Sequence, residues 1–177
     1  MSRQTWQETI ATATADATAV SNTTTETVAF PNLTIPANFL QDGRTLRLRA
    51  FGKLSTTGTP TITFAIRFGG VTGTLLATTE AITTASGSAN VCWSIEALIQ
   101  VRANGASGSF LVMGDARVNL TASTQTAGVF GVSGFDAPAP VTVDLTADAA
   151  LSITADWSAA SSSNTLTGLI YVVEALN

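Results

Sequence analysis

The chain has 177 residues, a net charge of −4 and only 11% charged residues, less than half the usual ~25%. It contains no His and one Cys, which excludes His-dependent triads, His–metal sites, thiolate zinc clusters and an internal disulfide framework. The acidic balance argues against a nucleic-acid footprint, no apolar run suffices for a membrane-spanning helix, and the length suits one domain with its own core.

Residues 1–24, MSRQTWQETIATATADATAVSNTT, are small and polar with irregular apolar spacing. They read as an extended N-terminal arm, lying against its own domain or a partner. An Arg without an apolar stretch does not make a secretory signal. From Thr25 to Asn177 the pattern is strand after strand. TETVAFPNLTI opens this domain, with Pro31 and Pro36 confining it to an edge or short piece. LRLRAFGKL alternates with Leu46, Leu48 and Ala50 on one face and Arg47, Arg49 and Phe51 on the other. TITFAIRF turns Ile62, Phe64, Ile66 and Phe68 inward, and with STTGTP between them the two segments read as a hairpin.

TLLATTEAITTA supplies one or two short strands. NVCWSIEALIQVRA is long and alternating, with Trp93, Ile95, Ala97, Ile99 and Val101 together. NGASGS turns the chain into FLVMGDARVNL, where Phe110, Val112, Ala116 and Val118 share a face. Residues 121–140 are rich in Gly, Ala and Pro and lack alternation, which predicts a long loop. VTVDL, AALSITADW and the terminal NTLTGLIYVVEALN complete about eight strands with regular turn signals. This is an all-β pattern of sandwich or barrel type. In the last strand Leu169 to Val173 are apolar on both faces, so the outer face needs a cover: a neighbouring subunit, a loop or the arm.

Few groups suggest chemistry. Arg47, Arg49 and Arg67 cluster on predicted outward faces as a docking patch for an acidic surface, or as an ordinary solvated strand face. Asp144, Asp148 and Asp156 match no calcium-loop spacing, and neither metal nor cofactor is expected. Cys92 lacks a neighbouring cation that would activate it. Trp93 and Trp157 alternate into the core. Trp6 and Ile10 in the arm are candidate anchors for a partner, as are Phe130 and Phe135 in the long loop. Leu169, Tyr171 and Val173 are the candidate oligomer interface.

The runs IPANFLQDGRTLRLRAFGKLSTTGTPTITFAIRFGG, ANVCWSIEALIQVRANGASGSFLVMGDARV, LTADAALSITADW and SNTLTGLIYVVEALN resemble small β-rich virion proteins of tailed bacteriophages. The resemblance covers residues 25–177. It implies a jelly-roll-like antiparallel β-sandwich, commonly trimeric, on the virion exterior and assembled in the bacterial host cytoplasm. The expected function is that of a non-catalytic capsid decoration (cement) protein, with itself and the major capsid protein or another virion protein as partners, and no nucleic acid or membrane. A fibre, tail or spike component and a carbohydrate-binding jelly-roll module are the alternatives. On the cement reading, deleting residues 1–20 leaves the domain folded and abolishes shell binding.

Overall fold

The computed structural model describes residues 7–120, 124–131 and 138–176. Among these residues the protein is all-β: two antiparallel sheets pack face to face around one core. The short elements are β1 (Glu8–Thr12), β2 (Val20–Ser21), β3 (Thr27–Val28) and β4 (Leu33–Ile35). Next come β5 (Thr45–Ser55), β6 (Thr61–Phe68), β7 (Thr74–Thr78) and β8 (Ile82–Thr83). Then follow β9 (Val91–Ala103), β10 (Gly108–Asn119), β11 (Gln125–Val129), β12 (Val141–Val143), β13 (Ala149–Trp157) and β14 (Thr165–Ala175).

The first sheet runs β1-β14-β5-β9-β10-β11, with β2 also on β14 and β12 also on β10. The second runs β3-β13-β6-β7, with β4 also on β13 and β8 also on β6. β1 and β2 occupy one strand position along β14, β3 and β4 one along β13, and β7 and β8 one along β6. Eight positions result, and in chain order they fall 1-8-3-6 in one sheet and 2-7-4-5 in the other. That is the double Greek-key order of a jelly roll. β10, with β11 and β12, is added to the outside of the sixth position, β9. Thr78 of the second sheet bridges to Gly131 just past β11, so this addition curls back and joins the two sheets along that side.

The strand alternation read from sequence holds through β5, β9 and β10, while in β6 Ala65, expected to face outward, is buried between Phe64 and Ile66. In β5 every second side chain is buried, and β9 and β10 do the same with Trp93, Ile95, Ile99, Phe110, Val112 and Val118. The core is aromatic at its centre. Phe30 stacks on Tyr171 at 5.1 Å between ring centroids, and Phe64 meets Trp93 at 5.4 Å. Both buried indoles are satisfied: Trp93 Nε1 donates to the Lys53 carbonyl and Trp157 Nε1 to the Val20 carbonyl, each at 3.2 Å. Gly168 leaves room for the Phe30 ring; a Cβ there would come within 2.3 Å of it.

Two expectations are corrected, and one left open is decided. β5 and β6 do not form a hairpin: β5 pairs with β14 and β9, and β6 with β13 and β7. Residues 56–60 therefore carry the chain from one sheet to the other. Of the two places left open for the N-terminal segment, it takes its own domain from Glu8 onward. It runs antiparallel along β14, and between β1 and β2 the Ala13 and Ala17 amides donate to the Tyr171 and Gly168 carbonyls at 2.9 and 2.8 Å. The predicted long loop at 121–140 contains β11, which pairs with β10.

Candidate interaction surface

The outer face of the first sheet is the most distinctive surface. Its cross-strand register places side chains in rows. One row reads Glu174, Arg47, Leu98, Met113 across β14, β5, β9 and β10. The next reads Val172, Arg49, Glu96, Asp115 and continues to Val129 on β11. A third reads Ile170, Phe51, Ser94, Arg117. Among the described residues the large exposed apolar side chains are Phe51, Leu98, Met113, Val129 and Ile170, each between 40% and 63% exposed. All five lie on this face. Leu98 and Met113 border a shallow depression of about 430 Å³ with Arg47, Glu96 and Asp115. Phe51 and Ile170 border another of about 350 Å³ beside Cys92 and Arg117. Scattered apolar residues on a surface are ordinary, but a set gathered on one sheet face marks an interaction site.

The charges on this face are unevenly paired. Arg47 Nε and Arg49 Nη2 approach the same oxygen of Glu174, at 3.0 and 3.1 Å. Arg47 Nε is inaccessible to solvent and meets that oxygen at an angle that makes no hydrogen bond. Burial pushes the Glu174 carboxyl up, but the Gln7 amide that donates to it and the two guanidiniums outweigh this and hold it below its ordinary range. On the other side Glu96 and Asp115 stand directly opposite one another across β9 and β10. Arg117 grips Asp115 through two hydrogen bonds of 3.0 Å. Glu96 has no ion pair among the described residues.

The outer face of the second sheet differs in kind. Arg67 on β6 forms a two-pronged pair with Glu26, at 2.5 and 2.7 Å, and donates to the Gly73 carbonyl at 3.0 Å. The buried Thr154 hydroxyl donates to the same Glu26 carboxylate. Burial pushes Glu26 up, yet its hydrogen bonds with Arg67 and Thr154 and the Arg67 charge bring it below its ordinary range. Asp156 moves the other way: burial and the nearby Glu26 charge raise it beyond what Arg67 offsets. This is a closed polar network with its cation already answered.

The predicted site residues are thus dispersed. Arg47 and Arg49 lie on the outer face of the first sheet, whereas Arg67 lies on the second, so they form no common patch. The cause is the sheet crossover after β5. Tyr171 and Val173 point into the core and are buried, which removes them as interface residues. Leu169 is half-buried beside a bulge between Gly168 and Ile170, and the outward members of β14 are Ile170, Val172 and Glu174. Phe130 is buried at 1% exposure and is a core residue rather than a contact for a partner. Ile10 is half-buried against the core. Trp6 and Phe135 lie outside the described residues.

Leu98, Met113 and Glu96 were missed from sequence. A signal was present: Leu98, Leu111 and Met113 break otherwise polar outward positions of two alternating strands. Among the described residues no group of three or more His, Cys, Asp and Glu could hold a metal ion, and Cys92 is exposed. No known protein family matches the chain, and no characterised protein and no solved structure is similar to it.

Proposed function

We propose that this chain is a non-catalytic structural protein of a tailed-phage virion, a homotrimeric capsid decoration protein that binds and stabilises the outer shell. The observation that carries this reading is the outer face of the first sheet, where five large apolar side chains and incompletely paired charges share one broad surface of a jelly roll. A low charged fraction suits a protein covered by neighbours, and the resemblance of residues 25–177 to small phage virion proteins points the same way. The mechanism is linkage: a protein that binds the assembled shell and not its loosened form stabilises it. Three copies on one axis multiply weak contacts through effective concentration.

Two measurements test the reading. Sedimentation equilibrium of the purified chain yields three times 18.1 kDa if it is a trimer. Mass spectrometry of purified virions carrying the gene finds the chain in many copies per particle. A chain missing from the virions sinks the decoration role.

A further inference from the structure

We propose that the outer face of the first sheet is the surface by which copies of this chain join one another, with β5 of one copy set against β9 of the next around Leu98 and Met113. The inference rests on the homo-oligomeric part of the function proposed above and names its interface. Its basis is the uneven charge pairing. Arg47 and Arg49 share one carboxylate, which leaves one surplus cation on β5. Arg117 is taken up by Asp115 alone, which leaves Glu96 on β9 as an anion without an ion pair among the described residues. Arg49, which stands opposite Glu96 across β5 and β9, is turned to Glu174 instead, so an arginine from a second copy can answer Glu96.

The two surpluses sit on adjacent strands, with Leu98 and Met113 beside them and Phe51 and Ile170 at the other end. The face is therefore complementary to itself: each copy offers both a donor and an acceptor of the missing contact. A cyclic assembly, in which every copy presents one half of the face to its neighbour, uses both and closes. Burying the apolar centre supplies affinity, and the charges fix register. On the outer face of the second sheet Arg67 is already answered by Glu26, and Asp156 is left as an anion with no free cation beside it among the described residues, so that face lacks the matching pair of surpluses.

The test uses the full chain and two variants at exposed positions, Leu98→Asp and Glu96→Arg, with circular dichroism to verify folding. Each variant is expected to raise the dissociation constant measured by sedimentation about tenfold or more. High salt should shrink the effect of Glu96→Arg and leave that of Leu98→Asp. The sole thiol, Cys92, lies on the same face, so maleimide labelling should run slower in the wild-type oligomer than in Leu98→Asp. An oligomer that neither variant weakens, with Cys92 equally reactive, overturns this interface and leaves the homo-oligomeric reading standing. A wild-type chain that stays monomeric at every concentration overturns that reading and the interface with it. If Leu98→Asp then also fails to enter virions, the face belongs to the shell and not to a second copy.

Discussion

Gly168→Ala probes the packing that joins the N-terminal half of the chain to the last strand. A Cβ at Gly168 would meet three atoms of the Phe30 ring at 2.3, 2.5 and 2.7 Å. That ring cannot swing away freely, because it stacks on Tyr171 at 5.1 Å and meets Trp93 edge-on at 6.1 Å. Overpacking of this kind costs about 1–3 kcal/mol. Gly168 is not among the glycines of positive φ, so alanine gains roughly 0.4–1 kcal/mol from the less flexible unfolded chain. The net loss is about 1–2 kcal/mol, which for a domain of this size lowers Tm by roughly 2–8 °C. Thermal denaturation followed by circular dichroism reads it. Phe30→Leu shortens the obstructing side chain, so Gly168→Ala should cost less in that background than in wild type. An unchanged Tm, or the same loss in both backgrounds, refutes the ring as the obstacle.

Other perturbations separate the polar network from the strand framework. Glu26→Gln weakens charge-assisted bonds to Arg67 and Thr154, and a loss of about 1–3 kcal/mol is expected at pH 7. Because the folded Glu26 carboxyl titrates below its ordinary value, its contribution is present above the unfolded pKa. It fades as pH falls through the folded one, so the wild-type and Glu26→Gln denaturation midpoints should converge in acid. Asp156 has the opposite sign: its folded value is raised, so the ionised group opposes folding at neutral pH. Asp156→Asn should raise Tm at pH 7, and the gain should vanish once both states are protonated. A Tm that falls at pH 7 would show that attraction to Arg67 dominates there. Removing residues 1–19 strips β1 from β14 and leaves its backbone edge open. The truncated chain should lose Tm and associate non-specifically through that edge, seen as polydispersity in light scattering. A soluble, fully stable truncated chain would show that the segment is not needed to close the β14 edge.

What the sequence determined by itself is local. Side chains alternate across a strand with period two, so Leu46, Leu48 and Ala50 had to face away from Arg47, Arg49 and Phe51. The same rule put Trp93 with Ile95, and Ile62 with Phe64. All-β architecture followed from such runs and their turns, and burial bears out every one of these faces. Which sheet each strand joins is not local. A reversal within one sheet and a crossover between two sheets satisfy the same alternation, so residues 56–60 could not tell whether Arg67 would stand beside Arg49 or behind it. The register of β14 was hidden likewise, because its apolar run has no alternation and its bulge moves Ile170 outward while Tyr171 turns in. The pairing of Glu8 with Ala175, and of Glu26 with Thr154, spans most of the chain. Only tertiary packing, in which each strand takes the partner that buries its apolar face and satisfies its backbone, could bring Arg49, Glu96, Leu98 and Met113 onto one surface.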